Sequence, residues 1–315
     1  MDLRLSFFNN FNQILPSNTR HILVAVSGGV DSMVLLDLLQ NSIFSLSVAH
    51  ANFQLRSIES DADEDFVKNK CLQKQIPFYG KRFDILTHAK MNKCSVQMSA
   101  RTLRYNWFYH LGKNLHCDCI VLGHNLNDEI ETFFLNLSRG TGLKGLLGIP
   151  KKVGPILRPL LPFTREQIML YARSRNLHWR EDSSNKESKY FRNVIRHRVV
   201  PVLFKVFPNF YQNFSHTLYH LNQYYSLSEQ AVQISRIQIT VMKKIDPFLW
   251  EINTEVLKRF HPINGYLFRL FSPYGFKNLP DLKRLLQAQP GKQLFSKSYR
   301  LVSGKNRWLL RQKRI

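Results

Sequence analysis

Six consecutive residues, Ser27-Gly28-Gly29-Val30-Asp31-Ser32, have the types and order needed to hold a phosphate. Gly28 and Gly29 tolerate backbone angles closed to other residues and let amide groups approach an anion with no side chain in the way. A helix starting just after them would turn its unpaired N–H groups and positive dipole end toward the same point. Ser27 and Ser32 add hydroxyl donors. Asp31 supplies a carboxylate of the kind Mg2+ takes together with phosphate oxygens. A plain Gly-Gly turn with Ser or Asp capping a helix would use the same letters. The string carries neither the Lys-Ser/Thr of a Walker A loop nor a GxGxxG pattern.

A second set, His124, Asp128 and Glu131, stands at i, i+4 and i+7. That spacing predicts one face of a helix leaving the carboxyl end of a strand, the edge where open α/β sheets bind ligands. Asp128 and His124 are candidates for a base or an orienting partner, and Asp128 joins Asp31 as a candidate metal ligand. A capping and ion-pair cluster is the structural alternative for the trio. Arg104 could clamp phosphates or developing charge, or form a surface ion pair. Arg192 and Arg196, at i and i+4, could reach RNA or a nucleotide, or form a solvated helix face. His50 could border the phosphate loop or simply close its strand.

The elements that must position these residues follow from periodicity. Apolar residues at helical spacing over 3–15 predict an opening amphipathic helix. Ile22–Val26 reads as a buried strand, followed by a helix over 31–40 and a strand over 46–50. Further on come helices over 59–74, 97–111 and 127–137, and strands over 77–79 and 119–122. The alternation predicts a parallel, Rossmann-like sheet with helices on both faces, joined by right-handed crossovers. Arg139–Pro150 is Gly-rich and reads as a loop or hinge, and Glu181–Lys189 as a second loop. Phe207, Phe210, Tyr211, Phe214 and Leu218 form a stripe better suited to core than to base stacking. The tail predicts a helix over 281–289 and strands over 293–295, 299–302 and 308–310. The expected organisation is a catalytic domain over 1–205, then a helical linker and small basic α+β module over 206–315.

Charge divides the chain. The whole carries 45 Lys and Arg against 22 Asp and Glu, a formal net of +23. Residues 1–138 hold 13 of each sign, so the entire excess lies in 139–315. Self-repulsion of that size implies an anionic partner, and a nucleic-acid backbone fits it through counterion release. The basic residues are scattered among aromatics rather than gathered on one amphipathic helix, which disfavours a membrane surface. No apolar run approaches the ~20 residues of a membrane span, and the N-terminal residues lack a signal-peptide pattern. Cys71, Cys94, Cys117 and Cys119 form neither a disulfide framework nor paired CxxC zinc ligands, so a reduced cytoplasmic setting is expected.

The loop Ser27–Ser32 resembles that of the N-type ATP pyrophosphatases, and further strings point to one branch. His50-Ala51-Asn52-Phe53-Gln54-Leu55-Arg56 is similar to the HxxHxLR of tRNA(Ile)-lysidine synthetases, with Phe53 at the second histidine. Ala100-Arg101-Thr102-Leu103-Arg104-Tyr105 resembles that family's A-R-x-x-R-Y. His124, Asp128, Glu131 and Thr132 match its H-H-x-D-D-Q-x-E-T, while Asn125, Asn127 and Glu129 depart. Arg139-Gly140-Thr141-Gly142, Arg158-Pro159-Leu160-Leu161, Glu181–Asn185 and Arg192-Asn193-Val194-Ile195-Arg196 follow in the family's order, so the resemblance spans about 20–201. It implies ATP and Mg2+ at the Ser27–Ser32 loop and a tRNA(Ile) with a CAU anticodon as substrate. It also implies L-lysine as the second substrate and leaves room for a homodimer. A tRNA thiolase of the same superfamily is the nearest rival, though the chain offers only Cys117-x-Cys119 as a close pair. An amide or NAD synthetase would leave the basic half unexplained. A non-catalytic RNA-binding relative would account for the departures but not for the intact loop.

Overall fold

The computed structural model describes residues 2–55, 58–181, 191–245 and 248–313. The chain divides into two compact units, Met1–Tyr219 and His220–Ile315.

In the first unit, helix α1 (Leu3–Ile14) precedes β1 (His21–Ala25), α2 (Val30–Gln40), β2 (Ser45–Asn52), α3 (Ile58–Gln73) and β3 (Phe78–Arg82). Then come α4 (Ile85–Met91), α5 (Val96–Asn114), β4 (Cys119–Val121), α6 (Leu126–Ser138), β5 (Lys152–Val153), β6 (Ile156–Leu157) and α7 (Arg165–Ser174). Helix α8 (Phe191–Val194) passes through one wider π turn, Ile195–Val199, into α9 (Val200–Val206), and α10 (Phe210–Ile239) runs across the division between the units. The sheet order is β3-β2-β1-β4-β6-β5, parallel except for the β5–β6 pair at one edge. The expected parallel α/β sheet is therefore present, with an antiparallel edge hairpin too short to leave a periodic signal.

Alternation along the strands sends neighbours to opposite faces. Ile22 and Val24 of β1 join α1, α2 and α7 in one apolar layer through Phe7, Phe11, Leu35, Leu38 and Ile168. Leu23, Ala49 and Ile120 turn to the other layer against Phe108 of α5. Helix α2 is buried nearly all round, because it lies between the sheet and α7. This topology matters for function. From β1 the chain goes first to β2 and β3 on one side, then crosses to β4 on the other. The carboxyl ends of β1 and β4 thus flank a topological switch point, where a crevice opens.

The second unit contains a five-stranded antiparallel sheet of order β7-β8-β11-β10-β9. Its strands are β7 (Thr240–Lys244), β8 (Leu249–Asn253), β9 (Gln293–Phe295), β10 (Tyr299–Gly304) and β11 (Arg307–Gln312). The helices α11 (Thr254–Lys258), α12 (Ile263–Phe271) and α13 (Leu279–Gln287) lie between β8 and β9 in the chain. One sheet face packs Trp250, Ile252, Leu301, Trp308 and Leu310 against Leu267, Leu270, Phe271 and Leu282 of α12 and α13. Among the described residues no helix is long and apolar enough to cross a membrane.

Candidate active site

Gly28 adopts φ +92°, the left-handed region that favours glycine. This sharp turn brings the chain from β1 into Gly29, the N-cap of α2. The loop is braced from within. The Ser32 hydroxyl donates to the Gly29 carbonyl (2.8 Å) and accepts from the Ser27 amide (3.2 Å), with the Ser27 hydroxyl 3.3 Å away. Both serine oxygens and the first amides of α2 are thereby gathered at one helix N-terminus, an arrangement ready for an anion. Val30, by contrast, is buried in the core and contributes only backbone. From outside, the Arg180 amide donates to the Gly28 carbonyl (3.0 Å), while its guanidinium pairs with Asp63 of α3.

At the end of β4, Gly123 sits against the first turn of α2. A Cβ there would lie 3.3 Å from Asp31 backbone atoms. The close approach lets Asn125 bridge the two strand ends. Its side-chain amide donates to Asp31 Oδ1 (3.0 Å), its oxygen accepts from the Asp128 amide (3.1 Å), and its own amide donates to Asp128 Oδ2 (3.1 Å). Asn125 is 2% exposed. One departure from the family pattern is thus a capping box whose N-cap side chain also reaches the phosphate loop. The structure corrects one expectation here. His124 is not on the helix face with Asp128 and Glu131, because α6 begins at Leu126 and His124 lies ahead of the extended N-cap Asn125.

Burial first, then the neighbouring Asp128 charge, raises the Asp31 carboxyl above its ordinary range. Two carboxylates crowded in this way suit a divalent cation. Among the described residues no cage of three or more His, Cys, Asp or Glu side chains forms. Asp31 and Asp128 offer two carboxylates, within the one or two that Mg2+ takes beside phosphate oxygens and water.

Glu131, 1% exposed, anchors the opposite end of this helix face. Arg192 Nε (2.8 Å) and Arg196 Nε (2.6 Å) both donate to it, and Arg196 reaches Asp128 Oδ1 at 3.4 Å. Arg192 and Arg196, expected as RNA contacts or a solvated face, are brought by the structure onto the α6 carboxylates. A buried carboxylate needs such partners. A further cation group has no carboxylate partner among the described residues. The Arg104 and Arg101 guanidiniums lie over the Tyr105 ring, and Arg158, 3% exposed, donates to the Tyr105 hydroxyl (3.2 Å) and the Pro150 carbonyl (2.8 Å). Burial, with Arg101, Arg192 and Arg158 nearby, pushes Arg104 below its ordinary value. Buried His124 Nδ1 and Arg158 Nε lack hydrogen-bond partners. Burial and then Arg158, Arg104, Arg192 and Arg101 push the His124 imidazole down to about 3, so it is neutral at physiological pH.

His50, at the end of β2, donates from Nδ1 to the Val26 carbonyl (2.8 Å) and stacks on Phe78. It braces the strand end that leads into the loop. Phe53, in the second departure, packs on Phe83. Asn127 donates to the Tyr211 hydroxyl and accepts from the Arg165 amide. Half-buried Glu129 lies against Gly148, and desolvation raises its carboxyl to about 7 against the opposing hydrogen bond from the Ile149 backbone. The sequence assigned no role to Arg101, Tyr105, Arg158, Arg165 or Arg180. Arg158 carried a usable signal, a basic residue next to a strand-ending proline. Asp182–Asn185 and Arg56 lie outside the described residues.

This geometry and fold define a PP-loop protein. A model of the PP-loop domain matches residues 3–203, and a model described as the TilS substrate binding domain matches residues 248–313. The chain is 35% identical over 293 residues to a tRNA(Ile)-lysidine synthase from Bacteroides thetaiotaomicron, covering 92% of this chain and 67% of that protein. A tRNA(Ile)-lysidine synthase from Porphyromonas gingivalis is 35% identical over 298 residues, covering 94% and 64%. One from Chlorobaculum tepidum is 44% identical over 199 residues, covering 62% and 60%. This chain belongs to the tRNA(Ile)-lysidine synthase family, and it spans about two thirds of the length of the first two of these relatives. Among solved structures, the U34-tRNA thiolase NcsA from Methanococcus maripaludis, with its 4Fe-4S cluster, shares the fold. Its TM-score is 0.57 at 19% identity, over 70% of this chain and 78% of that one.

Proposed function

We propose that this protein converts the wobble cytidine of a tRNA(Ile) with a CAU anticodon to lysidine, using ATP and L-lysine in the cytoplasm. The observation that carries the reading is the Asn125 bridge. It holds Asp31 of the phosphate loop and Asp128 of α6 in one crevice at the switch point of the sheet.

In this reading Ser27, Gly28, Gly29, Ser32 and the backbone of Val30 bind the ATP phosphates, and His50 steadies the turn. Asp31 and Asp128 would hold Mg2+, which when bound offsets phosphate charge. The cytidine 2-carbonyl oxygen attacks the α-phosphate and pyrophosphate leaves. The lysine amine then attacks the activated carbon and AMP departs with the oxygen. Activation is needed because a carbonyl oxygen is a poor leaving group. The amine must be neutral to attack, although free amines of this type have a pKa near 10. Asp128 suits the part of base or orienting partner better than His124, whose basicity the surrounding arginines suppress. Arg104 stabilises developing negative charge. Glu131 fixes Arg192 and Arg196, which face the RNA or the nucleotide with their remaining donors. The base must leave the anticodon stack to enter, which is cheap in a single-stranded loop.

The basic second part of the chain, beyond a catalytic domain over 1–205, holds the tRNA backbone. A homodimer is the assembly the family resemblance allows. The thiolase alternative is disfavoured by Cys117 and Cys119, whose thiols burial raises to about 11 and about 12, leaving little thiolate to carry sulfur. The deciding experiment is incubation with ATP, lysine and unmodified tRNA, followed by nucleoside mass analysis. Addition of a lysyl group supports the reading, and exchange of oxygen for sulfur or no change refutes it. Asp128→Asn should abolish lysidine formation and leave tRNA binding intact.

A further inference from the structure

The outer face of the five-stranded sheet carries charge that its own unit does not balance. Strands β9, β10 and β11 set Phe295, Arg300 and Arg311 in one row, with Phe295 opposite Arg300 and Arg300 opposite Arg311. The row faces away from the core, since the adjoining Leu301 and Leu310 are fully buried on the other face. Lys313 lies beside it, its ammonium 5.2 Å from the Phe295 ring centroid and donating to the Ser296 carbonyl. With Gln312 these side chains line an open cleft of about 400 Å³.

Like charges directly opposite one another destabilise a strand pair, and no described carboxylate relieves them. Among the described residues, Arg300, Arg311 and Lys313 have no carboxylate partner. The described acids of this unit, Glu229, Glu251, Glu255 and Asp281, are engaged by Arg269, Arg307, Lys258 and Arg284. Amid the cations stands a phenyl ring that is 61% exposed. A single ring offers too little apolar area to hold a lipid surface, whereas an aromatic face flanked by guanidiniums matches the two halves of a nucleotide. The ring stacks a base, and paired arginines grip a phosphate.

We propose that Phe295, Arg300, Arg311 and Lys313 form a nucleotide-holding site for the RNA substrate. Arg300 and Arg311 bind one backbone phosphate, Lys313 adds charge, and Phe295 stacks an unpaired base. The identity of that RNA rests on the lysidine reading; the site itself does not.

The test uses the full chain and measures affinity for unmodified tRNA(Ile) transcript across a salt series. It compares the parent with Arg300→Gln/Arg311→Gln and with Phe295→Leu. Loss of the arginines should shrink the salt slope by about one unit, the value for one phosphate contact removed. Loss of the ring should weaken binding about tenfold, the effect of one stacked base, with the slope unchanged. ATP affinity and the circular-dichroism melt should match the parent in every variant, which shows that both units remain folded. Unchanged tRNA affinity and slope in both folded variants overturn the proposal. So does loss of binding to phosphatidylserine vesicles while tRNA binding stays intact. If the parent ignores this tRNA but binds a short single-stranded RNA through the same side chains, the site stands and the tRNA(Ile) reading falls.

Discussion

Replacing Asn125 with Asp changes one atom of the bridge between the two strand ends and leaves its other hydrogen bonds available. Asp caps helices as well as Asn does, so the bond from the Asp128 amide survives. What changes is the atom 3.0 Å from Asp31 Oδ1, where an N–H donor becomes a carboxylate oxygen. Two unit charges at that distance repel by about 5.5 kcal/mol at an effective dielectric of ~20. The protein has a cheaper response, which is to protonate one acid. For a carboxyl of ordinary pKa near 4, that costs about 4 kcal/mol at pH 7, at 1.36 kcal/mol per pH unit. The same step costs about 1.4 kcal/mol at pH 5. The sign follows from linkage: the folded-state pKa is raised, so the stability deficit is small at low pH and grows as pH rises. Urea unfolding of the variant should therefore show a loss of at most about 4 kcal/mol at pH 7, mostly recovered at pH 5. Added Mg2+ should narrow the gap at pH 7, because a cation between the carboxylates removes the repulsion. A variant as stable as the parent at pH 7 without Mg2+ would refute the bridge and with it the crowding of Asp31 and Asp128.

Gly28→Ala places a Cβ at φ +92°, a conformation that costs an L-residue roughly 1–2 kcal/mol. Calorimetry should show ATP affinity falling while the circular-dichroism spectrum is kept. Glu131→Gln leaves Arg192 and Arg196 without their shared carboxylate. Breaking such a buried pair typically costs about 3–5 kcal/mol, and the partial exposure of both arginines puts the expected loss toward the lower end. Denaturant unfolding measures it. For His124, whose pKa is pushed to about 3, nitrogen-15 NMR of the ligand-free protein should show a neutral ring from pH 5 to 8. A depressed folded pKa also means that its stability contribution, full above the ordinary pKa near 6.5, is lost as pH falls below that value.

The sheet was legible because Ile22–Val26 and Cys119–Leu122 are short apolar runs followed by helical periodicity, and Gly28-Gly29 marked the turn between the first of them and its helix. Of the second unit, α13 and the last three strands were legible from Pro290-Gly291 and the alternation around Tyr299–Val302, while α11 and α12 were not assigned. β8 was not assigned from the sequence, although Trp250 and Ile252 alternate inward along it. β7 was hidden because Thr240 continues directly from a 30-residue helix with no turn residue between them. Near the loop, spacing put Asp128 and Glu131 together on one helix, and α6 carries both. The same spacing misplaced His124, since it does not reveal that Asn125 caps the helix. Nor could it give Asn125 a role, because its partner Asp31 lies 94 residues away. Around Tyr105, Arg101 and Arg104 of α5 meet Arg158, which follows β6, only on folding.

Gly123 also constrains how this crevice accommodates what enters it. With backbone from Asp31 only 3.3 Å from where a Cβ would stand, the two turns are locked at a fixed spacing and have no slack to widen around a bulkier guest. Substituting even alanine at 123 should push on the Asp31 carbonyl and the Ser32 amide, and so disturb the phosphate loop from across the crevice.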